Sequence, residues 1–163
     1  MFTLDGIKMV VFDFDDTLYV HPSHRAMSQE DLFKAVSKVG AAYYPIENFS
    51  SLMGEVMDEC DKRNIMMALC SHISFAPVSH AKLEAIEKAY GYKLLDLCVG
   101  DAKAKHLALK TAADMFNLKP CEIMLIDDLS LNLIDAEADG FIAVSPLHIY
   151  RCKERGLLLN KAD

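Results

Sequence analysis

Five apolar runs of strand length, at residues 7–12, 65–70, 95–99, 122–126 and 141–145, alternate with segments whose apolar residues recur at helical spacing. Phe49, Leu52, Met53, Val56, Met57 and Cys60 follow i, i+3, i+4, i+7, i+8, i+11, so one helical stripe can face a sheet. A second stripe, Leu32, Phe33, Val36 and Val39, is entered through Ser28 with Asp31 three residues on, as in a capping box. Leu83, Ile86 and Tyr90 form a third, stopped by Gly91. Leu109, Ala112, Ala113 and Phe116 form a fourth, with Pro120 beyond its end. A strand that is apolar along its whole length has both faces covered, and helices between such strands supply the cover. The pattern predicts a doubly wound α/β fold: a mainly parallel five-stranded sheet with helices on both faces. Ligands of such sheets bind beyond the carboxyl ends of the strands, which directs attention to the residues that follow each run.

The bulk properties narrow the function classes. A length of 163 residues suits one domain, here residues 1–163. A net charge of -7 and a pI near 5.3 offer no general attraction to a phosphate backbone, so nucleic acid is not an expected partner. No apolar run reaches the length of a membrane span, and the amino terminus is broken by Asp5, Lys8 and Asp13, unlike a signal peptide. Cys60, Cys70, Cys98, Cys121 and Cys152 are odd in number and contain no C-x-x-C pair, which reads as reduced cysteine in a cytoplasmic protein. Neither they nor the six scattered histidines have zinc-site spacing. No Gly-x-Gly-x-x-Gly turn follows the first run, so no dinucleotide is expected.

The residues after the strands carry the chemistry. The first run continues Phe12-Asp13-Phe14-Asp15-Asp16-Thr17, and in an extended chain Asp13 and Asp15 address the same side. The fourth ends Ile126-Asp127-Asp128. Parallel strands bring these carboxylates together, where two like charges at about 4 Å repel by roughly 4 kcal/mol at an effective dielectric of 20. Such a cluster calls for a cation. Hard oxygen donors without His or Cys suit Mg²⁺.

This constellation resembles the haloacid dehalogenase superfamily of aspartate-nucleophile phosphatases over roughly residues 7–145. The resemblance implies that Asp13 attacks phosphorus to give an aspartyl-phosphate, and that Asp15 serves as general acid and then general base. It implies that Thr17 supports the loop and that Ser71, ending the second run, hydrogen-bonds the phosphoryl oxygen. It also implies a lysine near the start of the helix before the fourth strand. Lys103 and Lys105 both stand there; family spacing favours Lys103 and leaves Lys105 as a solvated helix residue. Asp128 corresponds to the direct metal ligand, with Asp13 and the backbone carbonyl of Asp15 completing the protein's share and Asp127 adjoining. Two departures stand out. Asp16 occupies a position where relatives frequently have Gly, and Asn132 one where many have a further Asp, which predicts weaker metal binding. Gly140 ends the helix before the fifth strand.

Members of that superfamily commonly insert a cap domain after the first or second motif. Residues 18–64 are already filled by two helices and a flap near 18–26, and residues 72–102 are too few for a large cap. The chain therefore resembles the capless members. Its open site admits bulky phosphoesters, small or macromolecular, or receives a lid from a neighbouring subunit. His21 and His24 of the flap read as solvated loop residues, and His72 as a surface or packing residue. A dehalogenase needs no metal, and receiver domains place their paired acids, phosphorylated Asp and Lys in a different strand order. A catalytically silent or phosphate-responsive module of the same fold is the alternative that the motifs leave open.

Overall fold

The computed structural model describes residues 1–22, 27–100 and 104–157. Five strands, β1 (Met9–Phe12), β2 (Met66–Leu69), β3 (Leu95–Asp96), β4 (Ile123–Ile126) and β5 (Ile142–Val144), form one parallel sheet in the order β3-β2-β1-β4-β5. Among the described residues six α-helices connect and follow them: α1 (Gln29–Val39), α2 (Ser51–Lys62), α3 (Ala76–Tyr90), α4 (Lys105–Phe116), α5 (Ser130–Ala138) and α6 (Pro146–Glu154). No large cap interrupts the order. Among the described residues, no helix is long and apolar enough to cross a membrane.

The side-chain alternation of β1 explains the two helical layers. Val10 and Phe12 belong to a core shared with α1, α2, α3 and α6, whereas Met9 and Val11 belong to one shared with α4 and α5. Every residue of β1 and β4 is buried, as expected of central strands, whereas both residues of the edge strand β3 are exposed. The helix ends follow local chemistry. The Ser28 hydroxyl accepts from the Asp31 amide at the start of α1, and Ser50 accepts from Met53 at the start of α2. α3 ends where Gly91 turns left-handed at φ 82°.

The register of the central pair sets the site. Phe12 lies opposite Ile126 in β4, and the Asp13 amide donates to the Ile126 carbonyl at 2.8 Å. Asp13 and Asp127 therefore leave the sheet side by side. On the other flank Phe12 pairs with Leu69, two residues before Ser71.

Candidate active site

The chain turns sharply after β1. The Phe14 carbonyl accepts from the amides of Leu18 and Tyr19 at 3.0 and 2.9 Å, and the Asp16 amide donates to the Tyr19 carbonyl at 2.8 Å. Asp16 adopts φ 56°, in the left-handed region that favours glycine and that Asp tolerates better than most residues. Asp13 and Asp15 line the pocket while Phe14 between them is fully buried, with Tyr44 edge-on at 4.9 Å and Tyr19 stacked at 5.6 Å. Thr17 is buried at the turn, and its hydroxyl has no hydrogen-bond partner among the described residues.

Asp13, Asp15, Asp16, Ser71, His72, Lys105, Asp128 and Leu129 enclose a pocket of about 230 Å³. The lysine at its floor is Lys105, at the first position of α4. Its Nζ donates to Asp13 Oδ1 at 2.5 Å and to Asp127 Oδ2 at 2.7 Å, and the residue is only 2% exposed. The expectation of a solvated Lys105 is thus corrected: the helix turns it inward with Leu109, Ala112 and Ala113. Lys103, favoured by family spacing, lies outside the described residues.

Asp127 is completely buried and richly hydrogen-bonded. Its Oδ1 accepts from the Leu129 amide, and the Asn132 side-chain amide donates to both carboxylate oxygens at 3.0 and 3.1 Å. Asn132 thus serves Asp127 as a neutral donor, something that an Asp at this position could not do when ionised. Asp128 is exposed toward the pocket. Burial raises its pKa, with a further rise from neighbouring Asp127. Burial pushes the Asp13 carboxyl up to about 7; Lys105 opposes this and Asp127 adds to it. Lys105 loses by burial but is held above its ordinary value by Asp13 and Asp127, so it is charged at any ordinary pH.

Three carboxylates therefore face one ammonium. Asp13, Asp127 and Asp128 can each offer an oxygen, all within 4.8 Å of one another. Their combined charge exceeds that of Lys105 by two, and an all-oxygen donor set of this kind fits a hard divalent cation. Because Asp127 already accepts from Lys105, Leu129 and Asn132, Asp13 and Asp128 have the freer oxygens.

Two further side chains surround Asp15: Lys82, which the sequence did not single out, and His21 of the flap. Lys82 of α3, 1% exposed, donates to Asp15 Oδ2 at 2.7 Å and to Ser71 Oγ at 2.9 Å. His21 Nε2 lies 2.7 Å from Asp15 Oδ1, and its ring meets Tyr19 edge-on at 5.1 Å. His21 is therefore not a solvated loop residue; His24 lies outside the described residues. Burial alone would raise the Asp15 pKa, but the hydrogen bond with His21 and the charge of Lys82 carry it well below the usual carboxylate range. His21 is raised in turn, chiefly by that hydrogen bond. His72, read from the sequence as a surface or packing residue, lines the pocket. Both lysines had a signal in the sequence. Lys105 precedes Leu109 by one helical turn, and Lys82 sits one turn from both Val78 and Ile86, each in phase with an apolar stripe.

Beside the pocket, and meeting it at Asp16, runs a wider groove of about 980 Å³ lined among others by Val20, His21, Phe49, Ser50, Leu147 and Tyr150. It has room for a group much larger than phosphate.

No protein-family model matches the chain, and no curated protein matches it. Solved structures do. A haloacid dehalogenase superfamily hydrolase of Geobacter sulfurreducens is similar at TM-score 0.56 and 16% identity, over 86% of this chain and 87% of that one. The cobalt-bound deoxy-D-mannose-octulosonate 8-phosphate phosphatase of Haemophilus influenzae matches at TM-score 0.51 and 16% identity, over 91% and 75%. The Mg-complexed N-terminal part of a Bacteroides fragilis protein containing a phosphatase domain matches at TM-score 0.54 and 14% identity; the match covers 86% of this chain but only 35% of that one. The fold is haloacid dehalogenase-like, without a large cap.

Proposed function

We propose that this chain is a Mg²⁺-dependent phosphomonoester hydrolase that works through an aspartyl-phosphate on Asp13. The observation that carries the reading is the pocket itself: Asp13 stands at the carboxyl end of the central strand, gripped by Lys105 and faced by Asp15, Ser71 and Asp128. Mg²⁺ and cobalt in two structures of the same fold support the choice of a divalent metal.

In this reading Asp13 Oδ forms a bond to phosphorus as the bond to the leaving oxygen breaks. Lys105 opposes the protonation of Asp13 that burial favours and offsets the incoming anion. The Ser71 hydroxyl donates to a phosphoryl oxygen. Asp15 mediates proton transfer, and the proton for the leaving oxygen comes from His21 one hydrogen bond away, whose pKa that hydrogen bond raises. In the second step a water forms the new bond to phosphorus, the bond to Asp13 breaks, and Asp15 takes the water's proton. Asp13, Asp128 and the backbone carbonyl of Asp15 would hold the metal, which when bound supplies charge neutralisation of the transferring group. Asp127 and Asn132 support these groups from behind, and Thr17 braces the turn that carries Asp15 through its amide hydrogen bond to the Phe14 carbonyl. Lys105 takes the role for which sequence spacing favoured Lys103. The wide groove beside Asp16 gives bulky phosphoesters a place for the leaving group.

Purified protein is expected to hydrolyse an aryl phosphate with Mg²⁺ and not with EDTA. Asp13→Asn should lower the rate by about 10³-fold or more while the unfolding transition is preserved. Equal rates in EDTA, or in Asp13→Asn, would remove this mechanism. A stable aspartyl-phosphate that never turns over would point instead to a phosphate-responsive module.

A further inference from the structure

Among the described residues, Lys82 is a buried charged group beside the pocket to which the catalytic scheme gives no task. A buried ammonium is strongly unfavourable unless paired, so its presence at 1% exposure asks for a reason. It is not among the residues that line the pocket, and it reaches that space only through Asp15 and Ser71. Its ammonium lies over the Phe14 ring, with Nζ 4.5 Å from the ring centroid. The residue is carried by a rigid element: α3 is a 15-residue helix whose Val78, Ala81, Ala85 and Ile86 are buried around it. Asp15, by contrast, sits in the turn after β1.

We propose that Lys82 is a positioning residue that ties Asp15 to Ser71 from behind the pocket, setting the proton-handling carboxylate and the phosphoryl-gripping hydroxyl as one unit. The proposal rests on the phosphatase reading above. Two features of hydrogen-bond chemistry support it. An ammonium has three donors and no acceptor, so at 2.9 Å the Ser71 oxygen must accept from Lys82. That fixes the sense of the hydroxyl, whose own proton is left to donate toward a phosphoryl oxygen. Asp15 meanwhile is held at both oxygens, Oδ2 by Lys82 and Oδ1 by His21, which prevents the carboxylate from swinging about its side-chain bonds. A site that must keep two groups in fixed relation while phosphorus changes partners gains from a shared anchor on a helix.

The two chemical steps separate this role from simple structural support. With 2,4-dinitrophenyl phosphate the phenolate leaves without a proton, so formation of the aspartyl-phosphate makes little demand on Asp15. Its hydrolysis does depend on Asp15, which must receive the proton of the attacking water. Single-turnover and steady-state rates, with acid-trapped phosphoenzyme, should be measured for the full chain and for Lys82→Met, Lys82→Gln and Lys82→Arg. In Lys82→Met, hydrolysis of the phosphoenzyme is expected to slow about tenfold more than its formation, so that phosphoenzyme accumulates, and Lys82→Arg should restore much of the ratio. The first-turnover amplitude counts competent sites, and Lys82→Gln supplies the same ratio should the Met variant fail to fold. Equal slowing of both steps, or no change in either, overturns the role of Lys82. Wild-type protein that forms no phosphoenzyme overturns the phosphatase reading instead.

Discussion

At the scale of single residues, the site is a problem in charge that Lys105 only partly solves. It is the charged link between Asp13 and Asp127, and both carboxylates are buried. Removing one partner of such a group leaves charge without compensation, so Lys105→Met should destabilise the metal-free protein by about 3 kcal/mol. Urea unfolding in EDTA measures this, and a loss below about 1 kcal/mol would show that the three groups are not coupled as described. Mg²⁺ should recover part of the loss, because it satisfies the same carboxylates from the other side. The sequence made Asp13, Asp15 and Asp128 legible because paired acids after apolar runs are unusual. It did not separate Lys103 from Lys105, since two lysines two residues apart differ by about 200° around a helix and only the helix start decides which one points inward.

At the scale of elements, helix phase and strand register do the selecting. The stripe Leu83, Ile86 and Tyr90 anticipated the end of α3 but not its first half, where Val78, Lys82 and Ala85 share the buried face. A lysine in phase with apolar residues was the available signal. α3 also fastens the turn after β1 through its last residue. The Tyr90 hydroxyl lies 2.8 Å from the Ser50 carbonyl and 3.2 Å from the Leu18 carbonyl, beside both the turn and the start of α2. Tyr90→Phe removes one of two donors from each of these part-buried carbonyls and should cost about 1 kcal/mol. It should also raise KM more than it lowers kcat, since Ser50 lines the groove and neither Leu18 nor Ser50 lines the pocket; thermal melts and steady-state kinetics test the two parts separately.

At the scale of the whole molecule, the gathering of acids at one edge of the sheet links folding to pH and to metal. The folded pKa of Asp13, about 7, exceeds its ordinary value of 3.8, so between those limits the folded state binds more protons than the unfolded one. This contribution is fully present below pH 3.8 and is lost as pH rises toward 7. In EDTA the melting temperature should therefore carry a component that falls across this window, that Asp13→Asn removes and that saturating Mg²⁺ reverses. A metal-free profile for the wild type identical to that of Asp13→Asn would contradict this. The same edge explains why an open fold can hold such a site: β1 and β4 are central, so the groups that leave them are walled by helices of both layers even without a cap.

The sequence alone determined the parallel sheet, its two helical layers, the site at the carboxyl ends of β1, β2 and β4, and the short intervals that leave no room for a large cap. These follow from local periodicity and from which residues stand next to each strand, both of which are written along the chain. Only the tertiary structure decided which groups meet across distance. Lys82 reaches Asp15 across 67 positions, Lys105 reaches Asp13 across 92, and His21 folds back on Asp15 from a loop without any periodic signal. Such contacts depend on strand register and helix rotation to within a fraction of a turn. They turn a row of acids into a pocket in which each carboxylate has a different partner.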